Sequence, residues 1–224
     1  MNLNKENNVT NSVTNSIDND LVSFIKRTYQ YFAASMLVGA VGAYIGIGSL
    51  EFVLQYFWPI FIVEIIAVIS LSFIKQEGIK AIVLFIFTLL TGLTSAPLIA
   101  STIAMEGGTA IVGNAFAMTS FIVAGMSFFA VKTERDFTNF TTPLIIALVI
   151  IIVFSLINVF IFQSPIMSVL ISAVAVLLFT MFVVHDTQKI IRGQYRSPID
   201  GAVALYLDFI NIFMSLLNIM RGGR

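Results

Sequence analysis

The chain has no cysteine, so disulfides, thiolate metal sites and thiol catalysis are all excluded. It has one histidine, His185, which excludes a metal site built on imidazoles. Charge is also scarce. Only 11% of the 224 residues are Asp, Glu, Lys or Arg, against about 25% in a soluble domain. The 12 basic and 12 acidic side chains cancel, so no global field points to nucleic acid. No cleavable leader is apparent in the polar first twenty residues.

What the chain has instead is apolar length. Hydrophobic residues make up 58% of it. They gather into seven stretches, roughly 22–48, 57–74, 79–104, 109–131, 142–162, 166–186 and 200–220. A helix of about 20 residues crosses a bilayer. The expectation is an all-α, polytopic membrane protein with seven transmembrane helices over 21–224, preceded by a disordered tail, Met1 to Asp20, rich in Asn, Ser and Thr. Gln163-Ser164-Pro165 and Met105-Glu106-Gly107-Gly108 are short links, so the helices they join run antiparallel as neighbours.

Charge orients the chain. With a cytoplasmic N-terminus, Lys5, Lys26, Arg27, Lys75, Lys80, Lys132, Arg135, Lys189, Arg192 and Arg196 fall inside, and the outer loops hold only Glu51 and Glu106. Arg221 and Arg224 break the pattern if the last stretch spans and obey it if that stretch re-enters. On the first stretch Ser35, Gly39, Gly42 and Gly46 share one face, as in a helix-packing seam. On the third, Pro97 marks a kink or a hinge, with Thr and Ser hydroxyls nearby for the carbonyl it frees.

Three acids lie where acids are costly: Glu64, Asp186 and Asp208. Asp208 sits on a stripe with Gly201, Ala204, Asn211, Ser215 and Asn218, spaced by three and four, and this stripe suits either a hydrogen-bonded helix seam or a water path. Counting helical rise from the 192–200 connection puts Asp186 and Asp208 at similar depth. Two carboxylates in contact share a proton. Protonated, the pair latches two helices together; deprotonated, it repels and attracts a cation. Glu64, Asn211, Ser215 and Asn218 are the further ion-path candidates, with Glu64 well away from the pair. Lys75 either reaches water or pairs with the aspartates, and His185 is either a modulator or an interfacial residue.

The run His185-Asp186-Thr187-Gln188-Lys189-Ile190 and the run Leu205-Tyr206-Leu207-Asp208-Phe209-Ile210-Asn211 resemble the C-terminal signature of the Bax inhibitor-1 (transmembrane Bax inhibitor motif) family, in particular its bacterial members. Arg27-Thr28-Tyr29, Gly92-Leu93-Thr94-Ser95-Ala96-Pro97 and Lys132-Thr133-Glu134-Arg135-Asp136-Phe137 agree with it. The resemblance implies a seven-helix bundle with the C-terminal helix central. It implies a pH-sensitive calcium leak in the bacterial cytoplasmic membrane, with Asp186 and Asp208 as a di-aspartyl proton sensor and calcium contact. It implies that a basic residue, here matched to Lys75, engages the pair, and that Glu64 matches the helix-two acid. His185 departs from it, since bacterial relatives often carry tyrosine there. Calcium is cargo in this reading, no cofactor is expected, and the partners are the lipid bilayer, Ca2+ and protons. The alternative is a membrane-embedded regulator of a membrane AAA protease or of a stress-death pathway, with the tail as its handle. An intramembrane enzyme is disfavoured: no Ser–His pair has credible spacing, and the aspartates lack a G-x-G-D motif.

Overall fold

The computed structural model describes the backbone of residues 3–222 and the side chains of residues 19–222. Among them it is all helix. In chain order the helices are α1 (Leu3–Gly48), α2 (Leu50–Gln55), α3 (Phe57–Leu71), α4 (Glu77–Ile103), α5 (Gly108–Lys132), α6 (Thr141–Ile157), α7 (Pro165–Ile191) and α8 (Pro198–Gly222). The backbone is helical from Leu3. Once a helix exists, each added residue costs little, and α1 extends outward from its apolar part. Side chains of residues 3–18, Lys5 among them, and residue Arg224 lie outside the described set.

Six helical segments are long and apolar enough to cross a membrane: Asn19–Gly48, Glu77–Ile103, Gly108–Lys132, Thr138–Phe162, Pro165–Ile191 and Pro198–Gly222. Seven full-length spans were expected; the exception is the second apolar stretch. It holds α3, 15 residues long, which rises only about 22 Å. The stretch is short because the chain breaks at Ser49 and Tyr56 and again after Leu71, where Ser72 closes the last turn on the carbonyls of Ile69 and Ser70. The last stretch is one unbroken helix of 25 residues with no re-entrant break. It starts at Pro198, two residues before the start expected at Asp200.

Small residues set the packing. In the α1 seam, a Cβ placed on Gly39 would sit 2.6 Å from the Tyr206 hydroxyl, and one on Gly46 2.6 Å from the Ala96 Cβ. Gly42 is pressed equally hard against Leu89 of α4. These are contacts that only glycine permits, so α1 lies close on both α4 and α8. Helix α8 packs on α1, α4, α5 and α7, and supplies Phe209, Ile212, Phe213, Leu216 and Leu217 to the main core. Helix α6 packs chiefly on α7 and exposes Ile145, Ile146, Val149, Ile150 and Val153. Apolar surface on that scale belongs in hydrocarbon, which makes the chain an integral, multi-pass membrane protein.

Pro97 sits inside α4, which runs on unbroken to Ile103. The hydroxyls of Thr94 and Ser95 hydrogen-bond to the Thr91 carbonyl and do not answer the Leu93 carbonyl that the proline frees. Thr94 is already committed to Glu64.

Candidate functional site

The site is built where the C-terminal end of α7 meets the first half of α8. Asp186 and Asp208 are both buried, at 6% and 3% exposure. They lie on α7 and α8, two helices that pack extensively on each other. Asp208 Oδ2 has no hydrogen-bond partner. A buried carboxylate oxygen left unpaired is costly unless a proton, a cation or a rearrangement answers it.

Asp186 is held on its other side. Its Oδ1 lies 2.5 Å from His185 Nδ1, and His185 Nε2 lies 2.8 Å from the Thr141 hydroxyl at the start of α6. His185 is 3% exposed, so it is a buried bridge and not an interfacial residue. The contact to Asp186 requires one proton between nitrogen and oxygen. The neighbouring residues of α7 then bind the α5–α6 connection. Gln188 accepts from the Phe137 amide at 2.7 Å and donates to the Arg135 carbonyl at 2.8 Å. Arg192 pairs with Asp136 at 2.7 Å. The Arg192 hydrogen bond, with help from Thr138, holds the Asp136 carboxyl down to about 2. This end of α7, and with it Asp186, is fixed to a loop some fifty residues earlier in the chain.

Two neighbours of the pair were not legible in the sequence. Tyr195, in the α7–α8 loop, lines a hollow beside the acids, with the Lys189 ammonium 4.7 Å from the centre of its ring. Burial first, and then the nearby Asp186, push its phenol far above the ordinary range; Asp208 and Asp200 act in the same direction. Tyr195 therefore stands between all three acids as a neutral donor. The second neighbour is an ion pair, Lys80 Nζ to Asp200 Oδ1 at 2.5 Å, which joins α4 to α8. Lys75, matched to the basic partner of the aspartates, is exposed in the turn after α3 and joins no ion pair among the described residues. The buried lysine on this side is Lys80, and its partner is Asp200. Lys80 lies in the first turn of α4, beyond the helix break, and is the residue of that turn that is buried.

The other candidates divide. Glu64 is buried between α3 and α4 and receives the Thr91 hydroxyl at 2.9 Å and the Thr94 hydroxyl at 2.7 Å. Asn211 donates to the Leu207 carbonyl of its own helix. Asn218 donates to Ser168 and Ser172 of α7, and so acts as a helix-to-helix tie. Ser215 is half-buried. The stripe on α8 is therefore two things: an acid site at Asp208 and a packing seam at Asn218. No cluster of three or more His, Cys, Asp or Glu side chains suited to a metal occurs among the described residues. Asp186 and Asp208 offer two carboxylates, enough to contact a passing cation but few for a resident Ca2+, which takes 6–8 oxygens.

The chain resembles known proteins over nearly its full length. Residues 21–224 match the family model described as "Inhibitor of apoptosis-promoting Bax1". An uncharacterized protein of Campylobacter jejuni is 49% identical over 91% of this chain and 90% of its own length. An uncharacterized membrane protein of Vibrio cholerae is 28% identical over 88% of this chain and 87% of its own. Protein LIFEGUARD 1 of Arabidopsis thaliana is 34% identical over 67% of this chain and 63% of its own. The signature runs around Asp186 and Asp208, the glycine seam of α1 and the match over residues 21–224 agree: the chain belongs to the Bax inhibitor-1 (transmembrane Bax inhibitor motif) family.

Proposed function

We propose that the protein is a pH-responsive cation leak, with calcium as its cargo, and that Asp186 and Asp208 are its proton sensor. The unpartnered Oδ2 of Asp208, buried against Asp186, carries this reading. With a proton on the pair, the two carboxyls hold α7 and α8 together. Without it, two like charges meet in a medium of low dielectric, where the repulsion is worth several kcal/mol. The pair then separates or takes up a cation, and hard carboxylate oxygens suit Ca2+. His185 and Thr141 hold Asp186 from the α6 side, so the element free to respond is α8. In this reading α3 is the second of seven crossings, extended at its ends by α2 and by residues 72–76. In this reading the N-terminus is cytoplasmic and the membrane is the bacterial inner membrane, supported by the outer loops, which hold Glu51 and Glu106 but no Lys or Arg.

Calcium uptake by proteoliposomes across pH 5 to 9 tests the proposal, with wild type, Asp186→Asn and Asp208→Asn. Wild type should leak more as pH rises, and either substitution should flatten the pH response. Uptake no greater than in empty liposomes at every pH refutes it, as does an unchanged pH response in both variants. The second reading, a regulator of a membrane AAA protease or of a stress-death pathway, has the tail Met1 to Asp20 as its handle, and deleting that tail should then change turnover in cells but not flux in liposomes.

A further inference from the structure

Two adjoining hollows, about 560 and about 460 Å³, share Ser72, Lys80 and Arg196 in their walls. Four cations line them: Lys75, Lys80, Lys189 and Arg196. Two acids face these, Asp200 and Glu77. Asp200 is committed to Lys80, and Glu77 leans toward Arg27 at 3.8 Å. Lys189 has only the Tyr195 ring, and Lys75 and Arg196 pair with no acid among the described residues. The first turns of α4 and α8 also point here, each adding positive backbone dipole. The combined cleft is therefore short of negative charge. One wall is different: Val68 and Leu71 of α3 and Val203 and Leu207 of α8 are apolar.

A cleft with a cationic end and an apolar flank fits a group that carries a multi-oxygen anion on a greasy body. We propose that it binds a phosphate-bearing anion, the headgroup of an anionic phospholipid, with the phosphate between Arg196, Lys75 and Lys189. The Arg196 guanidinium suits paired phosphate oxygens, and the lysines add point charge. Lys80, buried and already paired, sets the floor. This site does not depend on the leak, and its test has a separate readout.

The test is a thermal unfolding titration of the full chain in neutral detergent. Short-chain phosphatidylglycerol and phosphatidylcholine are compared, with inorganic phosphate against chloride at equal ionic strength as a separate arm. Wild type should show a saturable rise in unfolding midpoint with phosphatidylglycerol and none with phosphatidylcholine. The double variant Lys75→Gln, Arg196→Gln should need at least tenfold more lipid for half the rise. Both side chains are exposed, so the variant keeps its fold. A charge-matched control, Lys132→Gln with Arg135→Gln, removes two cations elsewhere and should leave the titration unchanged. A saturable rise with inorganic phosphate that the cleft variant loses upholds the phosphate site and assigns it to a soluble anion. A rise that does not saturate, or that both double variants weaken equally, overturns the proposal.

Discussion

Replacing Gly92 by alanine should strain the seam between α1 and α4, and the structure sets the scale. A Cβ on Gly92 would lie 2.7 Å from the Ala43 amide nitrogen and 2.9 Å from Gly42 Cα, with the Gly39 carbonyl oxygen closer still. Against ordinary van der Waals contact near 3.4 Å, the shortfalls are about 0.7 and 0.5 Å. All three obstacles are backbone, so no side chain can swing aside and α1 itself must withdraw. Overpacking of that kind costs about 1–3 kcal/mol. Alanine returns about 1 kcal/mol of helix propensity. The net expectation is a loss of up to about 2 kcal/mol at Gly92. Gly125 of α5 provides the control, because a Cβ there meets nothing within 4 Å. Gly125→Ala should gain up to about 1 kcal/mol from propensity alone. Denaturant unfolding in a fixed detergent, followed by helicity, should separate the two variants by the overpacking cost, about 1–3 kcal/mol. If Gly92→Ala proves as stable as Gly125→Ala, α1 does not sit where the seam requires.

The Asp136–Arg192 contact gives a pH dependence. Asp136 is held down to about 2 from an ordinary 3.8, so its contribution is complete above about pH 4 and is lost as pH falls through about 2. Protection over residues 133–140, taken as exchange relative to the intrinsic rate at each pH, should therefore fall between pH 4 and pH 2, and Asp136→Asn should give the quicker rate at pH 7. Equal rates in wild type and variant at pH 7 would show that the carboxylate does not hold the loop. For the Lys80–Asp200 pair, whose side chains are 6% and 21% exposed, Lys80→Met should cost about 2–4 kcal/mol, because it strands a partly buried carboxylate. Lys80→Met with Asp200→Leu should cost less than Lys80→Met alone, and a double variant that unfolds more easily than the single would refute this.

The sequence made the all-helical class and the α1 packing face plain, because they follow from local pattern. Apolar length located the helical stretches, and glycine spacing located the α1 seam. The burial of Asp186 and Asp208 was also legible, because both acids lie in or at the end of apolar stretches. Contacts that cross the bundle were not. His185 and Thr141 are 44 residues apart, and nothing local to either marks the bridge. Lys75 and Lys80 are five residues apart and both lie near a helix end. Which one turns inward depends on where α3 stops and α4 starts, and a break within a run such as Phe73-Ile74 leaves no apolar signal. Tyr195 sits in a loop, where periodicity has nothing to say. The length of α3 was misjudged for a similar reason: an apolar stretch shows which residues avoid water, not where the helix within it ends.

The brevity of α3 has a consequence for where this protein works best. Its rise of about 22 Å falls short of a hydrocarbon core of about 30 Å, while its neighbours are long enough to match. With α3 as a crossing, as proposed, the lipids around it thin or the helix ends are wetted, at a cost of fractions of a kcal/mol per Å of mismatch. A thicker bilayer would draw Ser70, Ser72 and Lys75 toward the acyl chains, and a thinner one would release them. Membrane thickness therefore loads this one helix differently from the six longer segments, and the load falls on the cleft wall that Val68 and Leu71 form.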